Sequence, residues 1–229
     1  MSDKERASWV SYQEWCAAEE RLARDEYGSQ RHLLVALSCR VPPCRGGDLG
    51  LVHIVSPDSL TAADDYTNVL VWGGNASQPS TVLLKRHKTW RLKGTLTKPL
   101  PPSVRAILEA SLKSLPRPTL FVSDLTRQPY NSEASFLTWA CRAFHGVFGK
   151  HVTMNGARHA FLSALDTSRV STTALEQLAA EMGHSTAAQR AYFRLVDGPA
   201  AIRTEEGELS LPLLHTAEHR IGQVRLGSA

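Results

Sequence analysis

Residues 68–98 read NVLVWGGNASQPSTVLLKRHKTWRLKGTLTK. Two short runs rich in apolar and β-branched residues, Asn68 to Trp72 and Thr81 to Leu84, stand on either side of the turn chemistry of Gly73-Gly74-Asn75, the pattern of paired strands. Just upstream, Leu49 to Val55 (LGLVHIV) reads as a further strand. Outside this patch the period changes to that of helices. Trp9 to Glu26 sets Trp9, Tyr12, Trp15, Cys16, Ala18 and Leu22 at helical spacing. Tyr27-Gly28-Ser29 ends that helix and Gln30 to Ser38 starts a more apolar one. Pro42-Pro43 breaks it, because proline removes a donor and clashes with the preceding turn. Downstream, Pro101-Pro102 is placed to start a helix over Ser103 to Leu115, and Thr119 to Val122 reads as a short strand. Helices are expected over Ser132 to Phe148, Met154 to Leu165, Thr173 to Met182 and Ala187 to Leu195. Strands gathered in one patch rather than alternating with helices define an α+β fold. The expectation is a mostly helical domain with a small antiparallel sheet or hairpin near the middle of the chain.

Composition narrows the function classes. The chain has 229 residues, 42% hydrophobic and 21% charged, ordinary for a folded globular protein. No stretch approaches the ~18 apolar residues of a membrane span, and the charged start, Met1 to Arg6, leads into no signal-peptide core. Cys16, Cys39, Cys44 and Cys141 have neither metal-ligand spacing nor the density of a disulfide framework, which points to a reducing, intracellular compartment. Net charge is only +4, yet Lys85 to Lys98 holds six Lys or Arg, one His and no acid. Such clustering is the footprint of a phosphate-backbone partner. Within it Lys85, Arg86, Arg91 and Lys93 are expected to neutralise phosphates rather than read bases, and Trp90 to pack rather than stack on a base. Trp15, Trp139 and Phe144 sit at core spacing. From Gly198 onward the chain turns polar and aperiodic, with one apolar island at Leu209 to Leu214.

The chemistry resides in an order of residues. Arg45 follows the double proline and precedes Asp48 by three; Lys88-Thr89 lies in the presumed hairpin; Asn155-Gly156-Ala157-Arg158-His159 opens a helix; Gly183-His184-Ser185 ends another; Tyr192 follows within RAYFR. Singly, each has a plainer reading: a surface pair for Arg45 and Asp48, a solvated Lys88, a helix-terminal His184, a structural His159, a half-buried Tyr192. Together they are two guanidiniums, an ammonium, an imidazole and a phenol. There is no carboxylate pair for Mg²⁺, which argues against a metal-dependent nuclease, and no phosphate-binding glycine loop. Such a set suits metal-free phosphoryl transfer. Fixed positive donors stabilise charge spread over the equatorial oxygens, arginine does so with a two-pronged fork, tyrosine can be a covalent nucleophile, and lysine can protonate the leaving oxygen.

At these positions the chain, from about Trp9 to Leu195, resembles the catalytic domain of the tyrosine recombinases of the phage-integrase class, and is most similar to divergent members from viruses and eukaryotic mobile elements. The resemblance implies Arg45, Lys88, Asn155, Arg158, His184 and Tyr192 as catalytic residues, with Asp48 and His159 in support. It implies attack of Tyr192 on a DNA phosphodiester, a 3′-phosphotyrosyl link, and strand exchange without metal, ATP or other cofactor. Double-stranded DNA and a homotetramer assembled on it would be the partners. Asn155 departs from the family's usual His or Lys at that position; an amide can bond a phosphate oxygen but cannot act as a base. The implied organisation is an N-terminal extension over 1–8, a catalytic domain over 9–197 and a tail over 198–229 whose apolar island docks on a neighbouring protomer. The family's DNA-clamping helical domain has no counterpart before Trp9, so the expectation is a catalytic fragment of a longer protein. Two other outcomes use the same residues: a type IB topoisomerase or telomere resolvase, and a domesticated, catalytically impaired DNA-binding module.

Overall fold

The computed structural model describes residues 3–60, 67–165 and 171–185. The expected helix over Ala187 to Leu195, Tyr192 within it, and the tail with its apolar island lie outside the described residues.

A short helix, α1 (Asp3–Ser8), occupies what the sequence marks as an extension. The next, α2 (Tyr12–Asp25), starts at a capping box: Ser11 Oγ accepts the Glu14 N–H at 3.2 Å and the Glu14 carboxylate accepts the Ser11 N–H at 2.7 Å. Its buried stripe is Tyr12, Trp15, Ala18, Glu19 and Leu22. Ser29 caps α3 (Gln30–Arg40), which is buried continuously from His32 to Cys39. No polar face survives because α3 is the central helix, packed by α2 and by three helices that come later in the chain: α5 (Pro102–Ser114), α6 (Glu133–Phe148) and α7 (Met154–Ser163). Trp15 stacks edge-on against Phe144 at 4.9 Å and lies 4.7 Å from Phe148, and Phe121 joins Phe136 and Trp139 at the other end of α6. Trp15, Trp139 and Phe144 are thus core residues, as their spacing suggests. The four cysteines are free thiols.

The sheet holds β1 (His53–Val55), β2 (Val69–Val71), β3 (Thr81–Leu84) and β4 (Leu96–Pro99), in that order. The β2–β3 and β3–β4 pairs are antiparallel, but β1 runs parallel to β2, so the small sheet is mixed rather than wholly antiparallel. The strand expected over Leu49 to Val55 is shorter for a packing reason. Gly46 to Leu49 coil into a 3₁₀ turn pressed so closely on α6 and α7 that a Cβ on Gly46 would lie 2.6 Å from Leu137 and Met154. Thr119 to Val122 makes isolated bridges, with Thr119 opposite His53 and Val122 opposite Pro129. A single helical turn, α4 (Trp90–Lys93), sits inside the basic connection of β3 to β4, and α8 (Thr172–Glu181) packs against β4.

One buried polar network ties α2 to α3. His32 is fully buried; its Nδ1 accepts the Gly28 N–H at 3.2 Å, so Nε2 carries the ring proton and donates to Glu19 at 3.1 Å. Arg40 closes the other carboxylate oxygen of Glu19. Burial alone would raise the Glu19 pKa, but the bonds from His32 and Arg40 hold it below the ordinary carboxylate value. A depressed carboxylate contributes stability above its unfolded pKa that is lost as the pH falls through the folded value. Glu19→Gln is therefore expected to cost about 2–3 kcal/mol at neutral pH. In urea unfolding followed by circular dichroism, its deficit against the parent should narrow below pH ~4; a deficit constant with pH would show that the carboxylate charge is not what matters.

Candidate functional site

Two carbonyls of the double proline anchor the site. Lys98, buried although it belongs to the basic run, donates to the Pro42 oxygen at 2.9 Å. Arg158 donates to the Pro43 oxygen at 3.3 Å, and both its terminal nitrogens reach the Met182 oxygen at 3.2 Å. These contacts fix the start of the segment that carries Arg45 and Asp48. Arg45 is half-buried at the head of the 3₁₀ turn, its carbonyl accepting the Asp48 N–H at 3.1 Å. The Asp48 carboxyl is buried and raised to about 6, chiefly by loss of solvent, with the charges of His87, Arg45 and Arg158 opposing the rise and Glu133 adding to it. Asn68 staples the turn to the basic connection: its amide nitrogen donates to the Asp48 and Arg86 carbonyls at 3.1 and 3.0 Å, and its oxygen accepts the Arg86 N–H at 2.7 Å.

Arg45, Asp48, Arg86, Lys88, Trp90 and Asn155 line one open cleft of about 880 Å³, with Glu133 on its α6 side. Lys88 is exposed between His87 and Thr89, which are both tethered: the His87 Nε2 to the Gly94 carbonyl at 2.8 Å, the Thr89 hydroxyl to the Gly183 carbonyl at 3.0 Å. Asn155 is exposed in the first turn of α7, whose N-cap is Thr153, accepting the Gly156 N–H at 3.3 Å. Backbone N–H groups at a helix start add to the positive character of that wall. Trp90 is 41% exposed, so it lies at the cleft rather than in the core, with the Arg91 guanidinium 5.5 Å from its ring centre; Leu92 beside it is 87% exposed. Arg86, Arg91 and Lys93 are exposed and Lys85 is half-buried.

Arg158 and His184 stand behind this cleft rather than in its lining among the described residues. Arg158 has no exposed surface. Its guanidinium acts as a clamp, joining the Pro43 carbonyl to the end of α8. His184 is buried on the turn that ends α8, where Gly183 at φ +72° lets the chain reverse and the His184 N–H bonds the Ala179 carbonyl at 3.0 Å. Its pKa falls to about 4, first through burial and then through the charges of Arg158, Arg45 and Lys93, against the opposing bond to Ser185. Its imidazole is therefore neutral at ordinary pH. With Nδ1 facing the Ser185 carbonyl at 3.2 Å, Nδ1 carries the proton and Nε2 is the acceptor. His159 is half-buried on α7 and does not line the cleft. Among the described residues no three His, Cys, Asp or Glu side chains are grouped to hold a metal ion, and no helix is long and apolar enough to cross a membrane.

Asn68, His87, Thr89 and Lys98 were not legible as site residues. Asn68, Thr89 and Lys98 act by hydrogen bonds to carbonyls remote in sequence and His87 by one across its own loop, and spacing carries no trace of such bonds.

The mostly helical α+β domain, with its small mixed sheet and a basic strand connection lining the cleft, shares its fold with a solved recombinase structure. A solved structure of XerA recombinase matches it with a TM-score of 0.54 at 15% identity, over 82% of this chain and 59% of that one. The chain thus spans about three-fifths of that recombinase's length. No protein-family model and no curated protein sequence matches the chain.

Proposed function

We propose that the chain is the catalytic domain of a tyrosine-type DNA strand transferase, a site-specific recombinase or integrase. The observation that carries this reading is the convergence of Arg45, Lys88 and Asn155, from three remote segments, on one cleft backed by the Arg158 charge and the neutral His184. In that reading Arg45 holds the scissile phosphate by a two-oxygen fork, and Lys88 protonates the departing 5′ oxygen. Asn155 donates to a phosphate oxygen, and the His184 Nε2 accepts the hydrogen of the Tyr192 hydroxyl as that oxygen attacks. Tyr192 attacks phosphorus, its O–P bond forming as the bond to the 5′ oxygen breaks, and a partner strand's 5′-hydroxyl reverses the step. No metal, ATP or other cofactor takes part. Arg158 acts mainly by orienting Arg45 and the His184 turn, with Asp48 in support on the cleft wall and His159 in support from α7. Arg86, Arg91 and Lys93, with Lys85, neutralise duplex phosphates. Strand exchange would proceed in a homotetramer on double-stranded DNA, with the 198–229 tail docking in trans, in the intracellular compartment where the DNA of a mobile element resides.

The test is covalent trapping with EDTA present, using nicked duplexes and, for site-specific chemistry, the ends of the element that encodes the chain. A protein–DNA adduct on a denaturing gel is expected for the parent, none for Tyr192→Phe, and about 10²–10⁴-fold slower formation for Lys88→Ala. Full burial of Arg158, which keeps that guanidinium on backbone carbonyls, favours one second reading: a DNA-binding module that has lost turnover. Binding with no adduct on the cognate ends would establish that reading instead.

A further inference from the structure

The two residues flanking Lys88 form a strap across the site whose hydrogen-bond count does not close with a neutral imidazole. The strap runs from the Gly94 carbonyl to the His87 Nε2 (2.8 Å), from the His87 Nδ1 to the Thr89 Oγ1 (3.2 Å), and from the Thr89 Oγ1 to the Gly183 carbonyl (3.0 Å). Both ends are carbonyl oxygens, which only accept. Closing the three links needs a hydrogen on Nε2, on Nδ1 and on Oγ1, and a neutral ring with one hydroxyl supplies two. With Nε2–H alone, the Thr89 hydroxyl must choose between the ring and Gly183. With Nδ1–H alone, an Nε2 lone pair faces the Gly94 carbonyl. Only the imidazolium satisfies every link at once.

We propose that His87 and Thr89 are positioning residues, and that the doubly protonated His87 locks the Lys88 loop onto the Gly183-His184 turn. This rests on the reading of Lys88 and His184 as parts of one phosphate-facing site. The proton is taken from solvent on acidification and returned on basification, and no bond but N–H forms. With the imidazolium all three links are made; with the neutral ring one of the three is given up.

The surroundings place both signs of charge about His87. Asp48 on the 3₁₀ turn and Glu133 on α6 favour the cation; Arg45, Arg86, Lys88, Lys93 and Arg158 oppose it, and His184, neutral at ordinary pH, adds no charge. Gly183 packs directly on the strap: a Cβ there would meet Leu96 at 2.9 Å, the Thr89 hydroxyl at 3.9 Å and the His87 Nδ1 at 4.0 Å. The strap's far end is therefore backbone held in place by packing rather than a mobile side chain.

Two measurements test this. The first uses no DNA: isotope-labelled protein is titrated by NMR from pH ~5 to ~8, following the His87 ring and the Gly94 and Gly183 amides. In the parent and in Thr89→Ser, the Gly183 amide is expected to follow the His87 ring with one midpoint. In Thr89→Val, which lacks only the hydroxyl, the ring still titrates and Gly183 no longer follows. Gly183 indifferent to His87 in the parent, or equally coupled in Thr89→Val, overturns the proposal. The second is duplex affinity at fixed salt. The ratio of affinities at the acid and alkaline ends should be at least about tenfold larger in the parent than in Thr89→Val, the worth of one hydrogen bond to a charged group. Because the two proteins carry the same charges, general electrostatics cancel. Equal ratios overturn the link to the site. Coupling in the first measurement with no DNA binding by any variant would instead overturn the recombinase reading and leave the strap standing.

Discussion

Arg45→Ala is expected to melt at the temperature of the parent while forming the DNA adduct about 10²–10³-fold more slowly, whereas Arg158→Ala is expected to lose stability first. The two guanidiniums have the same chemistry and different surroundings. Arg45 is half-buried at the cleft, with solvent to replace what its removal exposes. Arg158 is enclosed, and three of its contacts run to the carbonyls of Pro43 and Met182. Its removal strands those oxygens away from water and opens a cavity, together costing about 3–5 kcal/mol. Arg158→Lys restores the charge but not the fork that spans two carbonyls, so it should recover only part of the stability. Calorimetry and the rate of adduct formation on one nicked duplex check the pair. A stable Arg158→Ala protein would refute the clamp, and an Arg45→Ala protein of parental rate would refute its place on the phosphate.

The second large effect is in the core. Trp15 is 1% exposed and wedged between Phe144 and Phe148, so Trp15→Ala should cost about 3–5 kcal/mol. For a chain of this length that is roughly 6–20 °C in melting temperature. Its indole N–H is buried with no acceptor among the described residues. Trp15→Phe removes that orphan donor while keeping most of the aromatic contact, and its loss should be well under half that of alanine. Equal losses for the two variants in thermal unfolding would mean that the benzene-sized part of the ring contributes nothing.

Helix positions were legible where local chemistry fixes them. The prolines at 42, 43, 101 and 102 bound α3 and α5 to within a few residues of expectation, and the apolar periodicity placed α2 and α6 nearly as well, their exact starts being set by the caps Ser11 and Ser132. The basic run misled locally: its composition suggests an extended hairpin, yet Trp90 to Lys93 take a helical turn, stabilised by the Lys93 N–H on the Thr89 carbonyl. The β1 strand was overestimated because an apolar run also fits a turn buried under α6. In the site, residue types and their order singled out Arg45, Lys88 and Asn155, which share the cleft. Order says nothing of depth, so the enclosure of Arg158 emerges only from three dimensions. The β1–β2 pairing direction is likewise non-local, and neither strand's own residues encode that it is parallel.

The anchoring of the Pro42 and Pro43 carbonyls by Lys98 and Arg158 has a consequence for the order of folding. The segment bearing Arg45 is held by residues 56 and 115 positions further along the chain, and contacts of such span form late because the loops they close are entropically costly. A chain still being synthesised carries the basic run and Arg45 well before it carries Arg158. The cleft is thus incomplete until the last helices dock, and a truncation before α7 should retain the positive charge of the basic run without the packed cleft that presents it.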